Sequence, residues 1–127
     1  MTQRRDRFPA FGLMLHDMGN SYFSFKQFTV SQARSAMRVG TDGVLLGAWC
    51  DLGFSAEIMV AEGAEQTPWR ILDVGTGTGV IALMAAQRVQ HAQVDAVEPD
   101  EGSCLDAAQN FAGSPWSDRL RLYRTTL

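Results

Sequence analysis

The pattern of apolar residues is clearest after position 69, where short apolar runs alternate with longer periodic segments. Arg70–Val74 (RILDV) predicts a buried strand, and Gly75–Gly79 predicts a glycine-rich turn after it. Val80–Val89 consists largely of good helix formers. Gln93–Val97 predicts a second strand, which ends at Glu98-Pro99-Asp100. This half of the chain therefore begins as strand, helix, strand.

A second helix and a third strand follow. Residues 101–112 place apolar side chains at helical spacing, and Gly113-Ser114-Pro115 ends the helix. Arg119–Tyr123 (RLRLY) alternates as a strand does. The resulting order, strand, helix, strand, helix, strand, is the parallel-sheet half of a doubly wound α/β nucleotide-binding fold. The predicted apolar stripe of the second helix consists of Cys104, Leu105, Ala108, Phe111 and Ala112.

The residues before position 50 predict a smaller extension of strand and helix. Residues 1–20 are irregular, and Tyr22–Val30 (YFSFKQFTV) is typical of a strand or a short hairpin. Residues 31–39 predict a short helix, residues 40–43 a turn or helix cap, and Val44–Trp49 a buried helix. Stacking on a nucleic-acid base and burial against the sheet both explain the aromatic residues of the strand, and we favour burial. These residues are Tyr22, Phe23, Phe25 and Phe28.

The composition is typical of one soluble domain, and its charges are unevenly distributed along the chain. Of the 127 residues, 46% are hydrophobic and 20% are charged, and the net charge is −3. Residues 1–40 contain six basic and two acidic side chains, whereas residues 41–127 contain five basic and twelve acidic ones. A basic leading segment suits contact with a polyanion, although solvated arginines explain it equally well. The overall acidity excludes a generally basic nucleic-acid coat.

The cysteines, histidines and apolar runs exclude several classes of protein. Cys50 and Cys104 have no metal-ligand or redox spacing, so we expect reduced thiols in an intracellular protein. His16 and His91 have no ligand-like neighbours, so we expect no metal site. The longest apolar run, Val80–Ala86, is too short to span a bilayer, and no signal peptide is recognisable. We therefore expect a cytoplasmic protein that has no membrane contact.

The segment that points to chemistry is Asp73-Val74-Gly75-Thr76-Gly77-Thr78-Gly79, between a predicted strand and a predicted helix. Glycines let the backbone turn sharply and approach a ligand, and the helix that follows offers free N–H groups. Glu98 closes the next strand. A carboxylate at that position can accept hydrogen bonds from ribose hydroxyls. The pattern therefore predicts a nucleoside-containing cofactor.

Two cofactors compete for this loop. A dinucleotide fingerprint requires a third glycine at position 80, where this chain has Val80. Asp73 would repel a pyrophosphate and would attract the cationic amino group of S-adenosylmethionine. Spacing and charge therefore favour S-adenosylmethionine, while a dinucleotide such as NAD and a turn without a ligand remain the alternatives.

The glycine loop, together with Glu98, resembles the cofactor loops of class I S-adenosylmethionine-dependent methyltransferases. The resemblance implies a Rossmann-like fold. Further segments resemble the bacterial tRNA1(Val) adenine-N6 methyltransferase family, which implies methyl transfer to N6 of an adenine next to the anticodon of a valine tRNA. These segments are Phe25–Phe28, Ala36–Trp49, and Asn110 with Ser114-Pro115-Trp116.

The same resemblance implies a set of cofactor-binding residues. Glu98 would hold the ribose of S-adenosylmethionine. The methionine end would be held by Asp73, Gly75, Gly77 and Gly79. A segment that closes over the cofactor would include Lys26, Arg38, Thr41 and Asp42. The chain would then divide into an N-terminal extension (1–50), a connector (51–69) and the first half of the cofactor-binding domain (70–127).

The catalytic part of the family pattern is missing from the sequence. The family holds the reacting amine with an Asn-Pro-Pro-Tyr motif after its fourth strand, whereas the four prolines here stand apart at positions 9, 68, 99 and 115. The resemblance implies a seven-stranded sheet, and this sequence predicts only three of those strands. We therefore expect the N-terminal portion of such an enzyme, without catalytic residues and inactive alone. Arg70–Val74 would be an open strand edge that favours self-association.

Three other functions stay open. A methyltransferase for another acceptor, such as a protein glutamine side chain, shares the glycine loop. A non-catalytic half-domain that binds the cofactor or tRNA agrees with the missing motif. A fragment of an NAD-dependent oxidoreductase is disfavoured by Val80, which stands where that class requires glycine.

Overall fold

The computed structural model describes residues 21–52 and 69–126, which contain two small sheets and three helices. Their order confirms the strand, helix, strand, helix, strand prediction after position 69. The elements are β1 (Tyr22–Ser24), β2 (Thr29–Ser31), α1 (Thr41–Trp49), β3 (Arg70–Val74), α2 (Val80–Arg88), β4 (Gln93–Glu98), α3 (Glu101–Ala112), a 3-10 turn (Ser117–Arg119) and β5 (Leu120–Arg124).

Strands β3, β4 and β5 form a parallel sheet in that spatial order. Leu72 lies opposite Asp95, and Ala96 lies opposite Leu122. Helix α2 connects the first pair of strands and helix α3 connects the second pair, as the predicted α/β fold requires. Within the described residues β3 pairs with β4 alone, so its other edge has no strand beside it.

Helices α2 and α3 cover one face of this sheet. Val94 of β4 packs in one core with Leu83 of α2 and Phe111 of α3. Because successive side chains of a strand point to opposite faces, Leu72 and Val74 lie on the other face of β3. They are 57% and 58% exposed. The described part of the chain therefore covers its sheet with helices on one side only.

The hairpin formed by β1 and β2 packs on the helices. Its strands are antiparallel, and Phe23 lies opposite Val30. Phe23, Phe28 and Val30 are buried in the same core as the helices, and Phe28 meets Trp116 edge-on with 5.6 Å between ring centroids. Burial is confirmed for Phe23 and Phe28, Phe25 is half-buried against the same core, and Tyr22 is exposed. Strand β2 contacts α3, so a helix provides part of the burial that was predicted against the sheet.

The short helix predicted over residues 31–39 is wrong, because this segment is extended and bent. Its backbone groups bond to side chains instead of to one another. Asn110 pairs with both the N–H and the carbonyl of Ser31, Asp106 accepts from the Arg34 N–H, and Gln32 accepts from the Val39 N–H. These side chains occupy the groups that a helix would have used.

Helix α1 begins at Thr41 and lies along α2. Gly40 is its N-cap residue, which confirms the predicted cap, although no side chain caps the helix and residues 41–43 are its first turn. Only one residue of α1, Gly47, is buried. The predicted buried helix is therefore wrong: α1 packs through one side and leaves Leu46 and Trp49 exposed.

The remaining predictions concern thiols, metals and membranes. Cys104 is buried and Cys50 is half-buried, and both are free. No group of three potential metal ligands is present among the described residues, and no described helix is long and apolar enough to cross a bilayer. The predictions for residues 1–20, including His16, and for most of the 51–69 connector fall outside the described residues.

Candidate functional site

The loop between β3 and α2 contains three glycines in left-handed backbone conformations. Their φ angles are 72° at Gly75, 57° at Gly77 and 84° at Gly79. Any other L-residue would adopt this conformation at a cost of about 1–2 kcal/mol. The N–H groups of Gly75 and Thr76 both donate to the Val97 carbonyl of β4. The loop therefore lies over the carboxyl ends of β3 and β4, where parallel α/β sheets bind ligands.

The glycines meet different surroundings. A Cβ atom at Gly79 would lie 2.5 Å from the Phe111 ring, so glycine is needed there for close packing of the loop on α3. Among residues 21–52 and 69–126, no atom lies within 4 Å of a Cβ built at Gly75 or Gly77. Their outer surfaces face open space, so a ligand can approach the backbone of the loop on this side.

Asp73 lies on β3 immediately before the loop and is tied into it. Its carboxylate accepts a 2.6 Å hydrogen bond from the Thr76 hydroxyl, and the backbone N–H of Ala82 in the first turn of α2 lowers its pKa. Burial raises the pKa of Asp73 above its usual value, the hydrogen bonds lower it, and the nearby charge of Glu98 raises it further. The net effect is a raised pKa, so the ionised form of this carboxylate would be stabilised by a cationic partner.

Glu98 ends β4 on the other side of the loop and is only 8% exposed. One of its carboxylate oxygens accepts the N–H of Gly77 at 2.8 Å, and the other accepts the N–H of Asp100 at 3.1 Å. Each oxygen has a second lone pair, so the same carboxylate can accept hydroxyl groups while it holds the loop.

Taken together, the loop and its two acids form a negative site that accepts hydrogen bonds. The carboxylates of Asp73 and Glu98 are close enough to influence each other. Ammonium and hydroxyl groups suit such a site, whereas a pyrophosphate would meet charge repulsion.

The structure brings part of the predicted residue set together. Asp73, Glu98 and the three glycines meet around one loop. Lys26 and Arg38 are exposed, and Thr41 is the half-buried first residue of α1. In the described ranges, no hydrogen bond joins Lys26 or Thr41 to the glycine loop.

Helix α3 contains polar residues that sequence reasoning left without a role. Asp106 is completely buried and Asn110 nearly so, and both bond to the 31–39 segment. The predicted apolar stripe is wrong at three positions, since Leu105, Ala108 and Ala112 are exposed. The sequence feature that could have indicated their shared role is the spacing of Asp106 and Asn110, because residues four apart lie on one face of a helix.

A sequence profile settles the family. The profile of the family Methyltransferase small domain matches residues 42–121, which is more than half of the chain. The chain belongs to this family. The resemblance to methyltransferases that the glycine loop and the upstream segments indicated is therefore confirmed.

Curated relatives of this methyltransferase-domain chain carry one name. A protein of Flavobacterium psychrophilum, named tRNA1(Val) (adenine(37)-N6)-methyltransferase, is 51% identical over 105 residues, or 83% of this chain. A protein of the same name from Parabacteroides distasonis is 49% identical over 110 residues, or 87% of this chain. The matched region is 40% of the length of each relative.

A solved structure supports the fold of the methyltransferase-domain chain. A human methyltransferase 10 domain-containing protein has a TM-score of 0.53 and 17% sequence identity, over 91% of this chain and 50% of that protein. At this identity the likeness concerns the fold alone, and it agrees with the partial Rossmann-like arrangement described above.

Proposed function

We propose that residues 70–127 are the first half of an S-adenosylmethionine-binding domain, in a methyltransferase that acts on N6 of an adenine in a valine tRNA, next to the anticodon. The observation that carries the proposal is the glycine loop between the half-buried carboxylate of Asp73 and the buried carboxylate of Glu98, with no described atom against the outer side of Gly75 and Gly77. The names of the relatives, at about 50% identity, support the tRNA adenine as acceptor.

The chemistry of the site supports S-adenosylmethionine, which supplies a methyl group on a sulfonium. Asp73 would pair with the cationic amino group, because its half-buried carboxylate gains from a positive partner. Glu98 would accept the ribose hydroxyls with lone pairs that the loop leaves free. The open backbone at Gly75 and Gly77 would lie against the methionine end, and Gly79 would set the turn into α2.

The N-terminal extension, residues 1–50, would close over the cofactor, and residues 51–69 would connect it to the binding domain. Lys26, Arg38 and Thr41 belong to this extension. Support comes from the bonds of Ser31 and Arg34 to α3, which hold the extension beside the glycine loop. Its basic character suits contact with tRNA, and a cytoplasmic location follows from that substrate.

The proposal assigns no catalytic residue to residues 1–127. Nitrogen methylation requires groups that hold the adenine amine in line with the sulfonium methyl and accept its hydrogen bonds. The sequence has no Asn-Pro-Pro-Tyr motif, so we propose cofactor binding without turnover for this chain by itself.

Calorimetric titration of the chain with S-adenosylhomocysteine tests the proposal, with NAD as the competing ligand. We expect binding of S-adenosylhomocysteine alone. Glu98→Gln should weaken this binding about 10- to 100-fold, since each lost or strained hydrogen bond to the carboxylate costs on the order of 1–3 kcal/mol. Glu101→Gln is the matched control, because Glu101 is exposed three residues further on.

The acceptor is tested separately. A chain of the length of the curated relatives should methylate unmodified valine tRNA and should leave a transcript with guanine in place of the target adenine unmodified. Binding of NAD instead of S-adenosylhomocysteine would overturn the cofactor assignment. Methylation of a protein glutamine with no transfer to tRNA would overturn the acceptor assignment.

A further inference from the structure

Asn110 of α3 makes hydrogen bonds in two directions at once. Its Oδ1 accepts the Ser31 N–H at 2.6 Å, and its Nδ2 donates to the Ser31 carbonyl at 2.9 Å and to the Thr78 carbonyl at 2.8 Å. Both amide hydrogens and the amide oxygen are therefore used. The side chain pairs with Ser31 as a neighbouring peptide group would, and at the same time it holds the glycine loop.

The bond to Thr78 fixes a peptide group inside the loop. The carbonyl of the Thr78–Gly79 peptide is held by Asn110, and its N–H donates to the Thr76 carbonyl at 2.8 Å. The next residue of α3, Phe111, lies against Gly79. Two consecutive residues of α3 thus hold the end of the loop that leads into α2, while Glu98 holds the Gly77 N–H.

Asp106, one turn earlier on α3, bonds to the same extension without touching the loop. Its carboxylate accepts the Arg34 N–H at 2.9 Å and the Ser35 hydroxyl at 2.7 Å. The Ser31 hydroxyl lies 3.4 Å from it. Because Asp106 is completely buried and makes no described bond to residues 75–79, it provides an internal control.

We propose that Asn110 is a positioning residue that couples the N-terminal extension to the glycine loop. Docking of the 31–39 segment and ordering of the loop then favour each other, and a ligand on the loop tightens the extension. The coupling to a ligand rests on the proposed binding of S-adenosylmethionine. The coupling between segment and loop rests on the hydrogen bonds of Asn110 alone.

Amide hydrogen exchange of the full chain tests the coupling without a ligand. Asn110→Ala should speed exchange of the amides in both 31–39 and 75–79 by about tenfold, since two hydrogen bonds to Ser31 and one to Thr78 are lost. Asp106→Ala should speed exchange in 31–39 and, to a smaller extent, in 75–79, because Asn110 still links the loosened segment to the loop. In the double variant Asp106→Ala/Asn110→Ala, exchange in 75–79 should be no faster than in Asn110→Ala alone. Asn110→Ser keeps a small polar side chain but is too short to bridge Ser31 and Thr78, so it replaces Asn110→Ala if that variant does not fold.

Titration with S-adenosylhomocysteine provides the second readout. Asn110→Ala should weaken binding about tenfold, and Asp106→Ala by a smaller factor, because Asp106 reaches the loop only indirectly, through the segment and Asn110. In the parent the ligand should slow exchange in 31–39, and this effect should disappear in the Asn110 variants. Unchanged loop exchange in these variants would overturn the coupling, even if the ligand binds. A parent chain that binds no S-adenosylhomocysteine would overturn the proposed function, while the ligand-free exchange would still decide the role of Asn110.

Discussion

At the residue scale, the glycine loop is held by side chains that are themselves fixed. Asp73 binds the Thr76 hydroxyl, Glu98 binds the Gly77 N–H, and Asn110 binds the Thr78 carbonyl. The loop is therefore ordered on folding rather than on binding. A ligand that meets it need not supply the free energy of ordering these residues, which favours affinity.

Asp73 gives the site a predicted pH dependence. Its pKa is raised in the folded chain, so the protonated form is favoured by folding and the ionised form is disfavoured. The stabilisation that protonation gives is fully present below the ordinary pKa of an aspartate, and it is lost as the pH rises through the raised value. Asp73→Asn removes this titration. Relative to the parent, the free energy of unfolding of the variant should therefore be higher at about pH 7.5 than at about pH 4.

Urea denaturation of the parent and of Asp73→Asn at both pH values measures this difference. Asp118→Asn is the control, because Asp118 is exposed on the 3-10 turn. A stability difference between Asp73→Asn and the parent that does not change with pH would contradict the expectation. Binding of S-adenosylhomocysteine should weaken in the parent as the pH falls, since a protonated Asp73 no longer attracts an ammonium group.

The residues of the site were predictable to the extent that they are local in sequence. Asp73, the three glycines and Glu98 follow from one strand–loop–helix unit and the end of the next strand. The role of Asn110 did not follow, because its partner Ser31 is 79 residues away and an amide on a helix gives no local signal of what it binds. The roles of Lys26, Arg38 and Thr41 stay predictions.

At the scale of elements, the extension passes so close to α3 that one glycine is required by packing. Gly102 lies in the first turn of α3, and a Cβ there would overlap the carbonyl oxygen of Arg34. The neighbour is backbone and cannot rotate away. The extension is thus held by close contact at Gly102 as well as by Asp106 and Asn110 further along the helix.

Gly102→Ala should therefore destabilise the chain although alanine is the better helix former. We expect a loss of about 1–3 kcal/mol in the free energy of unfolding, the usual cost of forcing extra atoms into a packed contact. Gly43→Ala is the matched variant, since Gly43 is also in a first helical turn but has no atom of the described part of the chain within 4 Å of the added Cβ. It should stabilise by about 0.5–1 kcal/mol.

Chemical denaturation of both variants distinguishes packing from helix propensity. A lower free energy of unfolding for Gly102→Ala together with a higher one for Gly43→Ala would confirm that the extension is in tight contact with α3 at Gly102. Stabilisation by both would show that the Arg34 backbone moves away without cost.

Sequence patterns predicted the strands and helices whose apolar residues recur with a regular period. They failed for segments whose conformation depends on contacts with other elements. The strands and helices after position 69 have strong periodicity and clear glycine or proline ends, so they were predicted to within a few residues. Residues 31–39 have helix-forming composition, but side chains of α3 take their backbone groups. Helix α1 is apolar enough to suggest burial, yet the described structure covers only the side that faces α2.

At the scale of the whole molecule, the described sheet is protected on one side. Leu72 and Val74 are exposed on the opposite face of β3, and the outer edge of β3 has no described strand beside it. Exposed apolar strands of this kind pair with other chains. We therefore expect the 127-residue chain to self-associate through β3.

Sedimentation velocity at increasing protein concentration tests this expectation. Leu72→Lys should weaken self-association at least about tenfold, because a charge on an edge strand disfavours pairing. Leu105→Lys is the control, since Leu105 on α3 is 52% exposed and lies away from β3. An equal effect of both substitutions would point to general solubility rather than to association through β3.

The pairing of Ser31 with Asn110 also affects when the hairpin can be buried during synthesis of the chain. At a synthesis rate of roughly 5–20 residues per second, the 79 residues from Gln32 through Asn110 take about 4–16 s to make. During this interval helix α3 has not been completely synthesised. Phe23, Phe28 and Val30 of the hairpin therefore lack the helix against which they pack in the folded chain. The hairpin is made early and buried late, and its exposure to chaperones and to other nascent chains is set by the speed of translation.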